Sequence, residues 1–247
     1  MYKVKLSVLV MVLMTLACTQ SEPPAPQPEK TPEPVAQTEP PGYTLVGAET
    51  DFSFVIVSNS AGPVTGRFPN GASGTLDPTG AGNVEIQLAL MKSLDKTNTE
   101  NPLRDANVVE AFFGVRPSRV MREPVDKAWA LLTDKLERSV TRARFEIEKT
   151  EGIDVADGTQ GEGSMTGNLV LWNKISIPLT FPVSTSRTGN RVELVGTAPV
   201  SFDLEEVLGS ELRKLLFDTM LAAGCAHQPG IQNQVEITIA RAVFTAN

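Results

Sequence analysis

Histidine is almost missing from this chain, which holds one in 247 residues together with two cysteines, two tyrosines and two tryptophans. Acid–base catalysis near neutral pH draws mostly on histidine or on paired carboxylates. The acidic residues are spread along strands at alternate positions, as on solvated faces, so no catalytic residue is assigned. Cys225 and His227 stand two apart. A zinc site takes four protein ligands, or three and a water, and haem attachment takes C-x-x-C-H. Neither set is present, and no metal ligand or resident cofactor is expected. An excess of positive charge is missing too: 22 Lys and Arg face 29 Asp and Glu, a net charge of −7. That excludes the basic footprint of a nucleic-acid binder and a polybasic membrane patch.

Apolar runs long enough to span a bilayer are also lacking, since residues 6–17 stop short of the roughly 20 that a transmembrane helix needs. Lys3 and Lys5 precede this run and the small Ala17 closes it, the pattern of a secretory signal. The following T-L-A-C resembles the lipobox of bacterial lipoproteins, which implies cleavage before Cys18 and a lipid on its sulfur. A plain signal peptide cut elsewhere is the alternative. With Cys18 acylated, Cys225 has no intrachain partner, and a disulfide framework is excluded. Thr19 rather than Asp after the cysteine resembles the pattern for outer-membrane delivery in a host with two membranes. Prolines crowd the next stretch, from Pro23 and Pro24 to Pro40 and Pro41. Proline has no N–H for helix or ladder, so this composition favours an extended, solvated spacer. The expected organisation is a signal peptide at 1–17, a lipidated cysteine and tether at 18–42, and one domain at 43–247.

Within that domain, alternation at period two recurs. Phe52, Phe54 and Ile56 share one face of D-F-S-F-V-I-V-S. Val84, Ile86 and Leu88 share one face of N-V-E-I-Q-L-A-L, with Glu85 and Gln87 on the other. Further runs of strand type begin at Ala143, Ser164, Ile175, Arg191 and Val235, each bounded by Gly, Pro, Asn or Asp. One wet face and one apolar face predict an antiparallel sheet that closes on itself or packs in two layers. Helical spacing predicts helices over 124–140, carrying Trp129, and over 203–223, with Asp203 as the cap and Gly224 as the stop. The broad apolar face of the second implies packing on the sheet or in a barrel mouth.

The order of these segments resembles the YceI-like family. Y-T-L-V-G-A-E-T-D-F-S-F-V-I is similar to its opening block, and V-T-G-R-F-P-N-G-A-S-G-T-L-D-P to its next hairpin. S-L-D-K-T-N-T-E-N-P-L-R-D-A-N-V-V-E-A-F-F and M-T-G-N-L-V-L-W-N-K-I-S-I-P-L-T-F-P-V resemble two further blocks in the right order. The resemblance implies an all-β fold, a lipocalin-like antiparallel barrel with added helices, whose lumen holds a polyisoprenoid-type lipid in the cell envelope. It implies ligand contacts from Phe52, Phe54, Ile56, Val84, Ile86, Leu88, Leu169 and Leu171. Arg104 and Asp105 match the family's R-D, either as a clamp on a ligand headgroup or as a structural pair fixing the loop after Leu94. Glu49 stands where the family carries a histidine, and Trp172 lies close to where it carries another. The implied partners are a hydrophobic small molecule and a membrane reached through the N-terminal lipid. The other reading is a structural or interaction lipoprotein whose barrel core has filled in.

Overall fold

The computed structural model describes residues 42–58, 62–94, 99–115, 123–223 and 231–247. Cys18, Cys225, His227 and the Pro-rich stretch lie outside these residues. Twelve strands form one antiparallel sheet: β1 (Tyr43–Leu45), β2 (Asp51–Ser58), β3 (Gly62–Arg67), β4 (Ala72–Leu76), β5 (Gly82–Gln87) and β6 (Lys92–Leu94) come first. β7 (Arg142–Glu151), β8 (Gln160–Leu171), β9 (Ile175–Thr188), β10 (Arg191–Gly196), β11 (Val200–Asp203) and β12 (Ile231–Ala246) follow. The ladder runs β1-β4-β5-β7-β8-β9-β10-β12, and β12 returns to β1, pairing Tyr43 with Ala246. Eight strands thus close into a barrel with no free edge within that ring.

The first three long strands are bent rather than straight. β1 and β2 both pair antiparallel with β12, separated by a 3₁₀ turn at Gly47–Glu49. β3 pairs with β2 and β6, whereas β4 pairs with β1 and β5. The stretch read above as a hairpin is therefore two halves of one bent strand, because its halves find different partners. β12 bends with them. Its C-terminal part closes the ring against β1 and β10, and its N-terminal part pairs with β2 and β11 across a register shift between Ile239 and Arg241. The run from Arg191 likewise splits into β10 and β11.

Period-two alternation makes the interior. Ala143, Phe145 and Ile147 of β7 point inward, as do Ile177, Leu179, Phe181 and Val183 of β9. Across the sheet Val84, Phe145, Leu169 and Ile177 stand in register as one apolar row. Pro178 and Pro182 fall in the part of β9 that pairs with β8 alone, where one side of the strand carries no ladder to interrupt.

Between β6 and β7 comes the helical insertion: α1 (Pro102–Asn107), a π-helical segment (Val108–Phe112) and α2 (Glu123–Ala130). α2 is shorter than the predicted 124–140. Val125, Trp129, Leu132 and Leu136 are all buried at helical spacing, but beyond Ala130 the chain continues in tight turns. The amide of Glu137 bonds the carbonyl of Trp172, and that of Ser139 bonds the carbonyl of Gly114, so tertiary partners replace the helix's own. The predicted helix over 203–223 is two, α3 (Leu204–Leu208) and α4 (Ser210–Ala222). Asp203 caps α3 as expected, accepting from the amides of Glu205 at 2.7 Å and Glu206 at 3.0 Å. Gly209, with φ of 76° and ψ of 155°, breaks the run, a left-handed φ that glycine adopts freely. α4 packs on α2 and on the π segment, and it buries Leu216, Thr219 and Met220. Among the described residues no helix is long and apolar enough to cross a membrane.

Candidate functional site

Where β2, β3 and the N-terminal part of β12 meet, register sets apolar side chains in rows. Val235 lies opposite Ile56, Ile237 opposite Phe54, and Ile239 opposite Phe52. Phe54 also lies opposite Gly66 of β3, whose missing side chain leaves the place that the Phe54 ring fills. These rows, Ile239 apart, wall a cavity of about 70 Å³ whose lining continues through Phe68, Ile86, Leu88, Ala143, Leu169, Leu171 and Phe202. Its lining carries no ionisable side chain, and Ser53 is the one polar residue in it. Phe54, Phe202 and Ile237 are half-buried, so this wall reaches the surface.

Phe112 and Phe113 complete the lining. Successive residues of an α-helix point about 100° apart. Here the amide of Phe113 bonds the carbonyl of Val108, five residues back, and the wider turn brings both rings toward the lumen. Phe113 stands edge-on to Phe54 (6.1 Å between centroids), Phe68 (6.3 Å) and Phe112 (5.1 Å). The end of such a segment leaves carbonyls without a helical partner. Trp129 donates its indole N–H to the carbonyl of Ala111 at 3.1 Å, and Trp172 donates to that of Phe112 at 3.3 Å. Gly114 follows with φ of 70°, and a Cβ there would lie 2.5 Å from the Trp129 ring. Both tryptophans are buried, and together they clamp the π segment in the barrel.

Of the predicted residues, the structure brings Phe52, Phe54, Ile56, Ile86, Leu88, Leu169 and Leu171 into one lining. Val84 is buried opposite Phe145 and stays outside it. Arg104 and Asp105 also lie outside the lining. The buried Asp105 carboxylate accepts from the amide of Ser93 at 2.7 Å and from its hydroxyl, while Arg104 Nε donates to the same hydroxyl at 2.9 Å. The pair ties α1 to β6, the strand beside Gly66, which is the structural alternative for this motif. Phe68, Phe112, Phe113, Phe202, Val235 and Ile237 were not singled out from sequence. Val235 and Ile237 were visible as alternate residues of V-E-I-T-I, and Phe112 and Phe113 stood in the quoted A-F-F.

Charge sits outside the lumen. Glu49 accepts from Arg191 at 2.5 Å, and Arg241 bonds Glu193 at 2.9 Å with Glu49 at 3.8 Å. The hydrogen bond from Arg191, with the charges of Arg191 and Arg241, holds the Glu49 carboxyl below its ordinary range against the opposing effect of desolvation. Arg191 and Arg241 are held above theirs chiefly by hydrogen bonds to Glu49 and Glu193. Among the described residues no group of three or more His, Cys, Asp or Glu is placed to hold a metal ion.

No family model and no curated protein sequence matches the chain. A solved polyisoprenoid-binding domain from Saccharophagus degradans, described as implicated in plant cell wall breakdown, superposes with a TM-score of 0.57 at 14% identity. The match covers 83% of this chain and 98% of that one. BcnA from Burkholderia cenocepacia superposes with a TM-score of 0.46 at 14% identity, over 82% of this chain and 99% of its own. The first likeness establishes a common fold. The antiparallel barrel of this chain is thus the fold of the polyisoprenoid-binding domain.

Proposed function

We propose that this protein is a lipid-anchored binding protein of the bacterial cell envelope whose barrel holds a hydrophobic chain of isoprenoid type, without catalysis. The lining carries this reading. Water enclosed there would find almost no hydrogen-bond partner, whereas an apolar chain gains about 25 cal/mol for each Å² that leaves water. The S. degradans barrel is described as polyisoprenoid-binding, which supports the same ligand class. A cavity of about 70 Å³ holds roughly five to seven water-sized groups, the bulk of about one five-carbon unit. That volume is below the several hundred Å³ of common ligand sites and is what favours a second reading, a barrel core filled for a structural or interaction role. Anchoring at Cys18, the tether over 18–42 and, in a host with two membranes, placement on the outer membrane facing the periplasm are common to both readings and rest on the sequence.

Organic extraction of the purified protein followed by mass spectrometry, with titration of a dansyl-labelled geranyl alcohol, separates the two. The expected result is a co-purifying apolar lipid, saturable binding, and affinity about tenfold weaker in Phe54→Ala, equivalent to roughly 1.4 kcal/mol. A wild-type protein that carries no lipid and binds no probe refutes the binding reading and leaves the filled barrel. Palmitate labelling of the wild type and not of Cys18→Ser is the outcome expected for the anchor, and labelling that survives the substitution overturns it.

A further inference from the structure

The lumen is lined in part by residues that lie outside the sheet. The wall residues Phe52, Phe54 and Ile56 belong to the sheet, and the Phe54 ring rests in the space over Gly66. Phe113 belongs to no strand. It comes from the helical insertion, lies buried among Phe54, Phe68 and Phe112, and forms part of the cavity wall. Its position is over-determined: the π-type bond to Val108, the two indole bonds to the carbonyls of Ala111 and Phe112, and the Trp129 ring packed over Gly114 fix the segment on every side. A π turn is uncommon and is found mostly at functional positions. Here two successive rings at the end of that turn, Phe112 and Phe113, line the lumen.

We infer that Phe113 is the chain-length stop of the barrel: it fills the space into which a longer apolar chain would extend, and so restricts the ligand to a short prenyl chain or to the terminal unit of a longer one. This rests on the binding reading above. The stop is made of apolar rings only, so it selects by length and not by headgroup. Trimming Phe113 to Ala removes the phenyl ring, and the space released admits roughly one more five-carbon unit. The clamp stays in place, because its hydrogen bonds run through backbone carbonyls and indoles rather than through this side chain.

The test is a titration of full-length protein with dansyl-labelled dimethylallyl, geranyl and farnesyl alcohols. In the wild type, affinity stops rising beyond the dimethylallyl probe. In Phe113→Ala the geranyl probe binds roughly tenfold tighter than in the wild type, as expected for newly buried apolar carbons, and the dimethylallyl probe changes little. Phe113→Leu, which keeps an apolar side chain of smaller reach, shifts the profile the same way by less and carries the test where the alanine variant does not fold. A wild-type length profile retained in the folded variants overturns the stop while leaving lumen binding intact. A wild type that binds none of the three probes overturns both.

Discussion

Gly114→Ala probes the clamp at one atom. Two separate penalties arise there. An L-residue at φ of 70° occupies the left-handed region, at about 1–2 kcal/mol. The new methyl would also lie 2.5 Å from a ring carbon of Trp129, which is fully buried and cannot swing aside. Overpacking of that kind adds about 1–3 kcal/mol. The expected loss is therefore about 2–5 kcal/mol, a large share of the 5–15 kcal/mol that folded domains possess. Gly189 supplies the control. Its φ of 61° is also left-handed, yet nothing lies within 4 Å of a Cβ built on it. Gly189→Ala should show the backbone penalty alone, about 1–2 kcal/mol. Urea denaturation followed by far-UV circular dichroism gives both values, provided that the slope of the transition is unchanged. If Gly114→Ala is no more destabilised than Gly189→Ala, the packing of Trp129 over this glycine is refuted, and with it the rigid seating of the π segment.

Gly66→Ala pushes on the Phe54 ring from beneath. It should destabilise by about 1–3 kcal/mol and displace the ring into the cavity, so that the geranyl probe binds more weakly; unchanged binding would mean that the ring does not wall the site. Acid stability tests the outer charge network. The Glu49 carboxyl is held below its ordinary range, so its contribution is present above the unfolded carboxylate value of about 4.3 and is lost as pH falls through the folded value. Glu49→Gln should therefore lose less stability on acidification than the wild type, with the difference reduced by salt. Denaturation midpoints taken at neutral pH and below about pH 4 check this, and parallel curves for the two proteins would count against the pairing.

The barrel was legible because alternation is a local signal. Phe52, Phe54 and Ile56 face inward for the same reason that Val55 and Val57 do not, and that parity survives any detail of pairing. Partner choice is not local. V-T-G-R-F-P-N-G-A-S-G-T-L carries turn residues in its middle, yet its halves pair with β2 and β6 on one side and β1 and β5 on the other, which only the closed sheet decides. Gly209 interrupts an otherwise continuous helical pattern, and one glycine in such a run is weak evidence of a break. Phe112 and Phe113 were plain in the sequence but not their joint inward placement. That depends on a widened turn whose loose carbonyls are met by indoles 18 and 60 residues away. The Arg104–Asp105 pair looked able to meet a headgroup because charge in a loop is common to both roles, and only the position of Ser93 separates them.

The two tryptophans have an optical consequence. The chain has no others, and both donate to the same short segment. Indole emission from this protein thus arises from the two groups that grip the π segment. An apolar chain that presses on Phe112 and Phe113 strains both indole bonds together, and the colour and intensity of that emission change without any added dye. Trp172→Phe leaves Trp129 as a single emitter beside Gly114 and Ala111. Occupancy of the barrel can then be followed in the purified, untagged protein from light that the site itself gives out.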